Sequence, residues 1–205
     1  MSSTLVCFDL GGVLVRINPT WGEAASHAGI TPRCDPSALD ALGGFPAFEA
    51  FQAGEFEAGL FLDALAEHLG LTGPAEAEAV HQAILVEAYP GTAELVHELH
   101  RAGIATACLS NTNALHWDRM AHTPEFPAIY ALQRKFASQE LHLQKPEPAI
   151  YRVVEEATGL GPESIVFFDD GAHNVAGAVA CGWRGCVIDP QGDTAGQMRA
   201  FLGLA

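Results

Sequence analysis

Four short segments that lie far apart in the sequence carry side chains suited to phosphoryl transfer: Asp9, Ser110-Asn111, Lys145 and Asp169-Asp170. A carboxylate can attack phosphorus, a hydroxyl can bind a phosphate oxygen, and a lysine can supply positive charge. We expect Asn111 to contact the substrate as well. Because a carboxylate and a phosphate dianion repel each other, cations must neutralise the oxygens as the new bond forms. The set predicts phosphoryl transfer through an aspartyl-phosphate at Asp9, provided that the four segments meet in one pocket.

The acidic residues also predict a Mg²⁺ site. A hard cation takes oxygen ligands, and it holds few carboxylates because water and substrate fill the remaining positions. Asp9, Asp170 and one backbone carbonyl would be enough. Gly11 and Gly12 would let backbone N–H groups approach a bound phosphate closely, since neither carries a side chain.

Each of these residues, taken alone, also has a purely structural explanation. An Asp before glycines is typical of a turn. Ser110-Asn111 and Asp169-Asp170 could each cap a following helix, and a loop lysine such as Lys145 is usually solvated. What favours the catalytic interpretation is that the segments lie at the ends of separate predicted strands or, for Lys145, in a loop that enters a helix.

The predicted strands explain how these segments would meet. Short apolar segments predict strands at 4–8, at 104–109, near Phe136, at 165–168 and at 185–188. Predicted helices at 94–102, after Asn113, at 148–157 and at 174–181 alternate with them. Alternation of this kind favours an α/β fold with a doubly wound parallel sheet, in which ligands bind at the carboxyl ends of the strands.

A second unit is predicted between the first and second of these segments. From about Pro19 to Tyr89 apolar residues recur at helical spacing, as in Phe45, Phe48 and Phe51, and no convincing strand is apparent. We therefore predict an all-helical cap of about four helices at 17–88, inserted into a core formed by 1–16 and 89–205. A chain of 205 residues has room for one core and a modest insertion.

The composition narrows the range of partners. With 10 Lys and Arg against 25 Asp and Glu, the net charge is −15, which repels nucleic acid and anionic lipid. We expect a small anionic phosphorylated metabolite as partner, bound through a local positive centre such as Mg²⁺ or Lys145. Oligomeric state is not predicted.

The sequence also favours a soluble, cytoplasmic protein. No apolar run reaches the roughly 18–20 residues that a membrane-spanning helix needs. The five cysteines are scattered without paired CxxC spacing, which predicts reduced thiols rather than a structural zinc site.

The four segments resemble the motifs of the haloacid dehalogenase-like hydrolase superfamily, in order and over essentially the whole chain. The matching residues are Phe8–Leu14, Leu109–Thr112, Lys145-Pro146, and Phe167–Asp170 with Asn174. The resemblance implies a Rossmann-like core with a cap between the first two motifs. It also implies that Asp9 is the nucleophile, that Ser110 and Lys145 bind the phosphate, and that Asp9, Asp170 and the Gly11 carbonyl hold Mg²⁺, with Asp169 supporting the metal site.

A closer likeness, to bacterial α-D-glucose-1-phosphate phosphatases, implies a sugar phosphate as substrate. It is carried by Ser110–His116, Gln144–Tyr151 and Phe167–Asn174.

Two positions depart from the superfamily pattern. Most phosphatases of this superfamily carry a general-acid aspartate where this chain has Gly11, and such assistance is worth about 10²–10⁴ in rate. We therefore expect reduced efficiency and a preference for good leaving groups, namely anomeric sugar, acyl or aryl phosphates. His116 is a candidate proton donor, although a helix-surface position is the commoner interpretation. Asn174, where many relatives have an acid, could still orient a metal-bound water.

Two other functions remain open. A 2-haloacid dehalogenase would use the same aspartate and needs no acid because halide leaves unprotonated, but it would not need Asp169-Asp170. A catalytically idle sugar-phosphate sensor is the other alternative, with Gly11 as the mark of lost chemistry. Arg16 and Arg33 are candidates for substrate recognition, although surface ion pairs are the commoner fate of such residues.

Overall fold

The computed structural model describes residues 4–204. The strands are β1 Leu5–Phe8, β2 Val15–Ile17, β3 Leu85–Ala88, β4 Ala105–Ser110, β5 Arg134–Ala137, β6 Ile165–Asp169 and β7 Arg184–Val187. The helices are α1 Trp21–His27, α2 Pro46–Gln52, α3 Ala58–Leu69, α4 Pro74–Gln82, α5 Thr92–Arg101, α6 Ala114–His122, α7 Pro127–Ala131, α8 Ser138–Leu141, α9 Pro148–Thr158, α10 Ala172–Ala180 and α11 Thr194–Leu202. Two short 3-10 helices, Pro36–Leu39 and Pro162–Ser164, complete the set.

Five parallel strands form the central sheet, in the order β5-β4-β1-β6-β7. In β1, Val6 and Phe8 pack into the apolar cluster on one face of the sheet, whereas Leu5 and Cys7 pack into the cluster on the other. This alternation follows from the two-residue period of a strand, and both faces are apolar because helices cover both. The predicted α/β fold with a parallel sheet is confirmed, and the predicted strand bounds agree to within one residue.

The inserted segment has an apolar core of its own. Four α-helices, α1 to α4, surround Trp21, Phe48, Phe51, Phe61 and Leu65. The rings of Phe51 and Phe61 stack with centroids 4.5 Å apart, so the aromatic periodicity seen in the sequence marks the inner face of α2. The predicted number of helices is therefore correct.

The prediction that this segment contains no strand is wrong. β3 pairs antiparallel with β2, with Val15 opposite Ala88 and Arg16 opposite Glu87. Strands of three and four residues are too short to show a two-residue period, and the partners lie about 70 residues apart in the sequence, so no local pattern reveals the pairing. The predicted boundaries after residues 16 and 88 fall inside β2 and at the end of β3.

Cys7 and Cys108 are buried in the sheet, where a thiol acts as a small apolar group, and all five cysteines are free. Within the described chain, no helix combines the length and the apolar character that crossing a bilayer requires.

Candidate active site

The four predicted segments meet at the carboxyl edge of the sheet. Asp9 follows β1, Ser110 ends β4 and Asp169 ends β6, and these three strands are direct neighbours. Lys145 enters from the loop before α9, and its fully buried ammonium lies 3.0 Å from Asp9 Oδ1 and 2.6 Å from Asp169 Oδ2. One cation therefore bridges two carboxylates that the sequence separates by 160 positions.

Three carboxylates crowd this edge. Asp9, Asp169 and Asp170 each place an oxygen within 4.8 Å of the others. The pKa of Asp9 is raised to about 7, chiefly by burial and also by Asp169 and Asp170, against the opposing charge of Lys145. When all three acids are ionised, one ammonium leaves two negative charges uncompensated. A divalent ion would neutralise them, and the hard oxygen donors fit Mg²⁺.

The loop after Asp9 needs glycine at only one of its two glycine positions. Gly12 has a φ of +73°, and a Cβ there would lie 2.4 Å from Asp170 Oδ2. Gly11 has no such constraint: a Cβ there would meet only the Ile17 side chain, at 3.4 Å. Gly12 therefore lets the loop pass close to Asp170, whereas a larger residue at position 11 would fit with little adjustment.

Asn111 positions Lys145. Its Nδ2 donates to the Lys145 carbonyl at 3.0 Å, and its Oδ1 accepts from the Lys145 N–H at 2.9 Å. This pair of bonds ties the lysine loop to the end of β4, beside the buried Ser110. Both ends of the Asn111 side-chain amide are therefore engaged with the Lys145 backbone. The predicted contact of Asn111 with substrate stays a prediction.

Asn174 supports Asp169. Its Nδ2 lies 3.0 and 3.2 Å from the two oxygens of Asp169, whose Oδ1 also accepts from the Gly171 N–H at 2.7 Å. An acid at position 174 would repel this carboxylate, whereas the amide donates to it. Asp169 is thus held by hydrogen bonds and by Lys145, while Asp170 is free of these bonds and closer to solvent.

His116 does not lie on a helix surface, and this expectation is wrong. It is 5% exposed, and its ring stacks on that of His81 in α4, with centroids 3.8 Å apart. Its Nε2 donates to the His81 carbonyl at 2.8 Å. Burial, the main cause, lowers its pKa to about 4. At neutral pH its one ring proton is therefore engaged with a carbonyl, so His116 is not placed to act as the general acid.

These histidines join the inserted segment to the core. Asn113 caps α6 by accepting from the His116 N–H at 3.2 Å, and its Nδ2 donates to His81 Nε2, also at 3.2 Å. Arg119 Nη1 donates to the Gln82 carbonyl at 2.9 Å. No local sequence pattern predicts this contact, because His81 and Asn113 lie more than 30 positions apart in the sequence.

The buried histidine pair predicts a loss of stability in mild acid. The pKa of His81 is also lowered, well below 6.5, again mainly by burial. Unfolded imidazoles bind protons as the pH falls below 6.5, whereas the folded pair resists protonation until lower pH, so stability present above pH 6.5 is lost towards pH 4. For His116 this amounts to roughly 3 kcal/mol of unfolding free energy.

Urea unfolding across this pH range measures that dependence. Because the Asp9 contribution changes in the opposite direction over this range, the expected result is a difference between variants. Relative to the unmodified protein, His116→Gln should gain stability as the pH falls from 7 to 4, whereas His97→Gln, which changes an exposed histidine of α5, should not. An equally steep dependence in His116→Gln would contradict the assignment.

A cavity of about 340 Å³ lies between the inserted segment and the core. Its lining residues are Gly11, Ile17, Leu42, Gly43, Phe48, Glu49, Gln52, Ile84, Leu85, Ser110, Asn111, Thr112, His116 and Met120. Ser138 Oγ, at the start of α8, donates to the Gln52 carbonyl at 2.7 Å. The sequence analysis did not identify Glu49 and Gln52 as cavity residues. Their spacing places both on one side of α2, but the spacing does not show that this side faces the core.

The two arginines named from the sequence lie in different places. Arg16 contacts Glu87 at 3.3 Å and stacks over the Tyr89 ring, and it lines a smaller cavity of about 280 Å³ with Gly12 and Asp170. Arg33 is exposed and lines neither cavity, so the structure does not bring it to the site.

Comparison with known proteins finds phosphatases and a haloacid dehalogenase among the relatives. A phosphatase of Mycobacterium tuberculosis is 31% identical over 137 residues, which is 65% of this chain and 62% of that protein. Hexitol phosphatase A of Escherichia coli is 25% identical over 192 residues, or 91% of this chain and 83% of that protein. (S)-2-haloacid dehalogenase 4A of Burkholderia cepacia is 28% identical over 108 residues, 53% of this chain and 46% of that protein. The chain thus spans less than two thirds of the first and third of these relatives.

The fold has counterparts among solved structures. A haloacid dehalogenase family enzyme of Bacteroides thetaiotaomicron, solved with magnesium and inorganic phosphate, matches with a TM-score of 0.79 and 24% identity, over 94% of this chain and 97% of that chain. The sequence model of the haloacid dehalogenase-like hydrolases matches residues 4–182. Because this match extends over most of the sequence, the chain belongs to the haloacid dehalogenase-like hydrolase family.

Proposed function

We propose that this protein is a Mg²⁺-dependent phosphatase that hydrolyses small phosphate esters, with sugar phosphates as the substrate class, through an aspartyl-phosphate on Asp9. The observation that carries the proposal is the buried ammonium of Lys145, which bridges Asp9 and Asp169 beside Asp170. A dehalogenase needs no charge to neutralise phosphate oxygens, whereas phosphoryl transfer does.

We also propose a reducing, cytoplasmic location, which the free cysteines support.

In this proposal each residue has a task that its position supports. The Asp9 carboxylate attacks phosphorus while the P–O bond to the leaving alcohol breaks, and the alcohol takes its proton from solvent. Lys145 favours the ionised form of Asp9 and offsets charge on the phosphate. The Ser110 hydroxyl and the backbone N–H groups after Asp9 donate to phosphate oxygens. Mg²⁺, held by Asp9, Asp170 and the Gly11 carbonyl, would supply further positive charge and orient the phosphate. Water then attacks phosphorus of the acyl phosphate, the bond between phosphorus and the Asp9 oxygen breaks, and inorganic phosphate leaves as Asp9 is regenerated.

The relatives support the phosphatase assignment. Two of the relatives are named phosphatases, one of them a hexitol phosphatase. The closer motif likeness to α-D-glucose-1-phosphate phosphatases points to the same substrate class. The cavity beside Ser110, with polar Glu49 and Gln52 among apolar walls, suits a hydroxylated leaving group of moderate size.

Metal removal tests the proposal. Hydrolysis of p-nitrophenyl phosphate should fall at least about 100-fold in EDTA and return with Mg²⁺, because the ion offsets charge worth several kcal/mol in the transition state. Undiminished hydrolysis in EDTA would refute the metal requirement.

A 2-haloacid dehalogenase is the second candidate. The B. cepacia relative and the absence of an acid at Gly11 favour it. Release of chloride from 2-chloropropionate, together with no hydrolysis of any phosphate ester, would establish this alternative in place of the phosphatase.

The glycine at position 11 predicts a strong dependence on the leaving group. Rates across esters of graded leaving-group pKa should fall steeply as the leaving group becomes more basic. Gly11→Asp, which the space around Gly11 admits, should raise kcat/KM for an alkyl phosphate by about 10²-fold or more and that for p-nitrophenyl phosphate much less. Gly43→Asp, another glycine of the cavity wall, is the matched control. A flat leaving-group dependence in the unmodified protein would show that another group donates the proton.

A further inference from the structure

The cavity between α2 and α6 adjoins the reacting phosphate, if the proposed function holds. Gly11, Ser110 and Asn111 line this cavity, and they lie in the loop after Asp9 and at the end of the neighbouring strand β4. A phosphate bound at Asp9 and Ser110 would therefore have its ester group directed towards this space. A volume of about 340 Å³ lies near the lower end of the usual range for small-molecule sites, about 300–1,000 Å³.

The charge on the cavity wall is negative only. Among the lining residues, Glu49 carries the only charge: there is no Lys or Arg, and burial holds the pKa of His116 near 4, so its ring is neutral. A second anionic group on the substrate would meet a carboxylate and no counter-ion. The net charge of −15 adds to this repulsion.

Glu49 is held in place by contacts at both of its ends. Its Oε1 accepts from the Gly44 N–H at 3.0 Å, which fixes the loop that contributes Leu42 and Gly43 to the cavity. Its backbone carbonyl accepts from Gln144 Nε2 at 3.2 Å, which ties α2 to the core loop before Lys145. The carboxylate is therefore a fixed part of the cavity wall, and a Gln at this position would keep the bond to Gly44.

We propose that this cavity selects phosphate esters whose leaving group carries no second negative charge, and that Glu49 is the residue that excludes anionic leaving groups. The inference rests on the proposed function and narrows its substrate class to uncharged, hydroxylated compounds, as opposed to bisphosphates and phosphorylated acids. Exclusion by an unpaired like charge is a common way to gain specificity. Because Glu49 is exposed and partly screened by water, the expected discrimination is about tenfold.

Two aryl esters of matched size test the inference: 4-(hydroxymethyl)phenyl phosphate and 4-carboxyphenyl phosphate. Their leaving groups are similar in basicity and differ in charge. With Mg²⁺ present, the unmodified protein should show a kcat/KM about tenfold higher for the neutral ester, with most of the difference in KM. Glu49→Gln should lower this preference about five- to tenfold, by raising kcat/KM for the carboxylated ester relative to that for the neutral ester.

The controls separate this inference from the function on which it rests. Glu55→Gln removes the same charge from an exposed residue outside the cavity and should leave the ratio unchanged. Equal rates for the two esters, or a ratio that Glu49→Gln does not alter, would overturn the role of Glu49. A preference for the carboxylated ester would also overturn it and would point to the smaller cavity beside Arg16. Hydrolysis of neither ester would instead refute the proposed phosphatase, and the inference with it.

Discussion

Asp9→Asn is expected to lower turnover of every phosphate ester by about 10⁴-fold or more, because an amide oxygen is too weak a nucleophile to form the covalent intermediate. Asn keeps the size of the side chain and can still accept the Leu10 N–H, which donates to Asp9 Oδ1 at 2.7 Å. The loss should therefore appear in kcat, with the fold intact. Steady-state hydrolysis of p-nitrophenyl phosphate with Mg²⁺, together with mass spectrometry of acid-quenched protein for a phosphorylated Asp9, measures both consequences.

The same substitution should stabilise the metal-free protein. Because the pKa of Asp9 in the folded chain is raised from 3.8 to about 7, ionised Asp9 opposes folding, and this penalty grows as the pH rises through that interval. Removing the charge removes the penalty, so the Tm of metal-free Asp9→Asn should exceed that of the unmodified protein at pH 8 and match it more closely at pH 4.

The matched control is Asp118→Asn, which alters an exposed carboxylate on α6 and should leave both activity and Tm unchanged. Substantial turnover by Asp9→Asn would show that water attacks the ester directly. If the unmodified protein with Mg²⁺ hydrolyses no phosphate ester at all, the idle sugar-phosphate sensor becomes the better account of the site.

The convergence of Asp9, Ser110 and Asp169 could be predicted because it follows from sheet geometry. Each residue ends or follows a short apolar strand, and the carboxyl ends of adjacent parallel strands share one edge. Lys145 is less constrained by the sheet. Its placement depends on a loop that Asn111 holds through the Lys145 backbone, and a bond between positions 34 residues apart leaves no periodic trace in the sequence.

The contacts of the inserted segment with the core could not be predicted in this way. Helical spacing identifies the apolar side of α2 through Phe48 and Phe51, but it does not show what covers the polar side. The burial of His116 depends on His81, a residue of a different helix. Contacts between polar residues on different helices leave no periodic pattern in the sequence. A single sequence therefore does not predict them.

Lys145→Met should affect both activity and stability. The ammonium is completely buried and lies 3.0 Å from Asp9 and 2.6 Å from Asp169, so its loss leaves two buried carboxylates without their counter-ion. Removing one partner of a buried ion pair typically costs about 3–5 kcal/mol. In the proposed mechanism Lys145 also offsets charge on the phosphate, so we expect kcat/KM to fall by about 10³-fold or more.

Mg²⁺ binding distinguishes two reasons for a loss of activity in Lys145→Met, namely the missing positive charge and misfolding of the variant. If charge is what Lys145 supplies, Mg²⁺ should raise the Tm of Lys145→Met by more than it raises that of the unmodified protein, since the ion then offsets acids that no other cation neutralises. Lys135→Met, which removes an ammonium in an exposed contact with the Tyr130 carbonyl, is the matched control and should behave like the unmodified protein. A folded Lys145→Met that retains most of its activity would mean that Mg²⁺ alone neutralises the phosphate, and that the lysine serves mainly to keep Asp9 and Asp169 together in the fold.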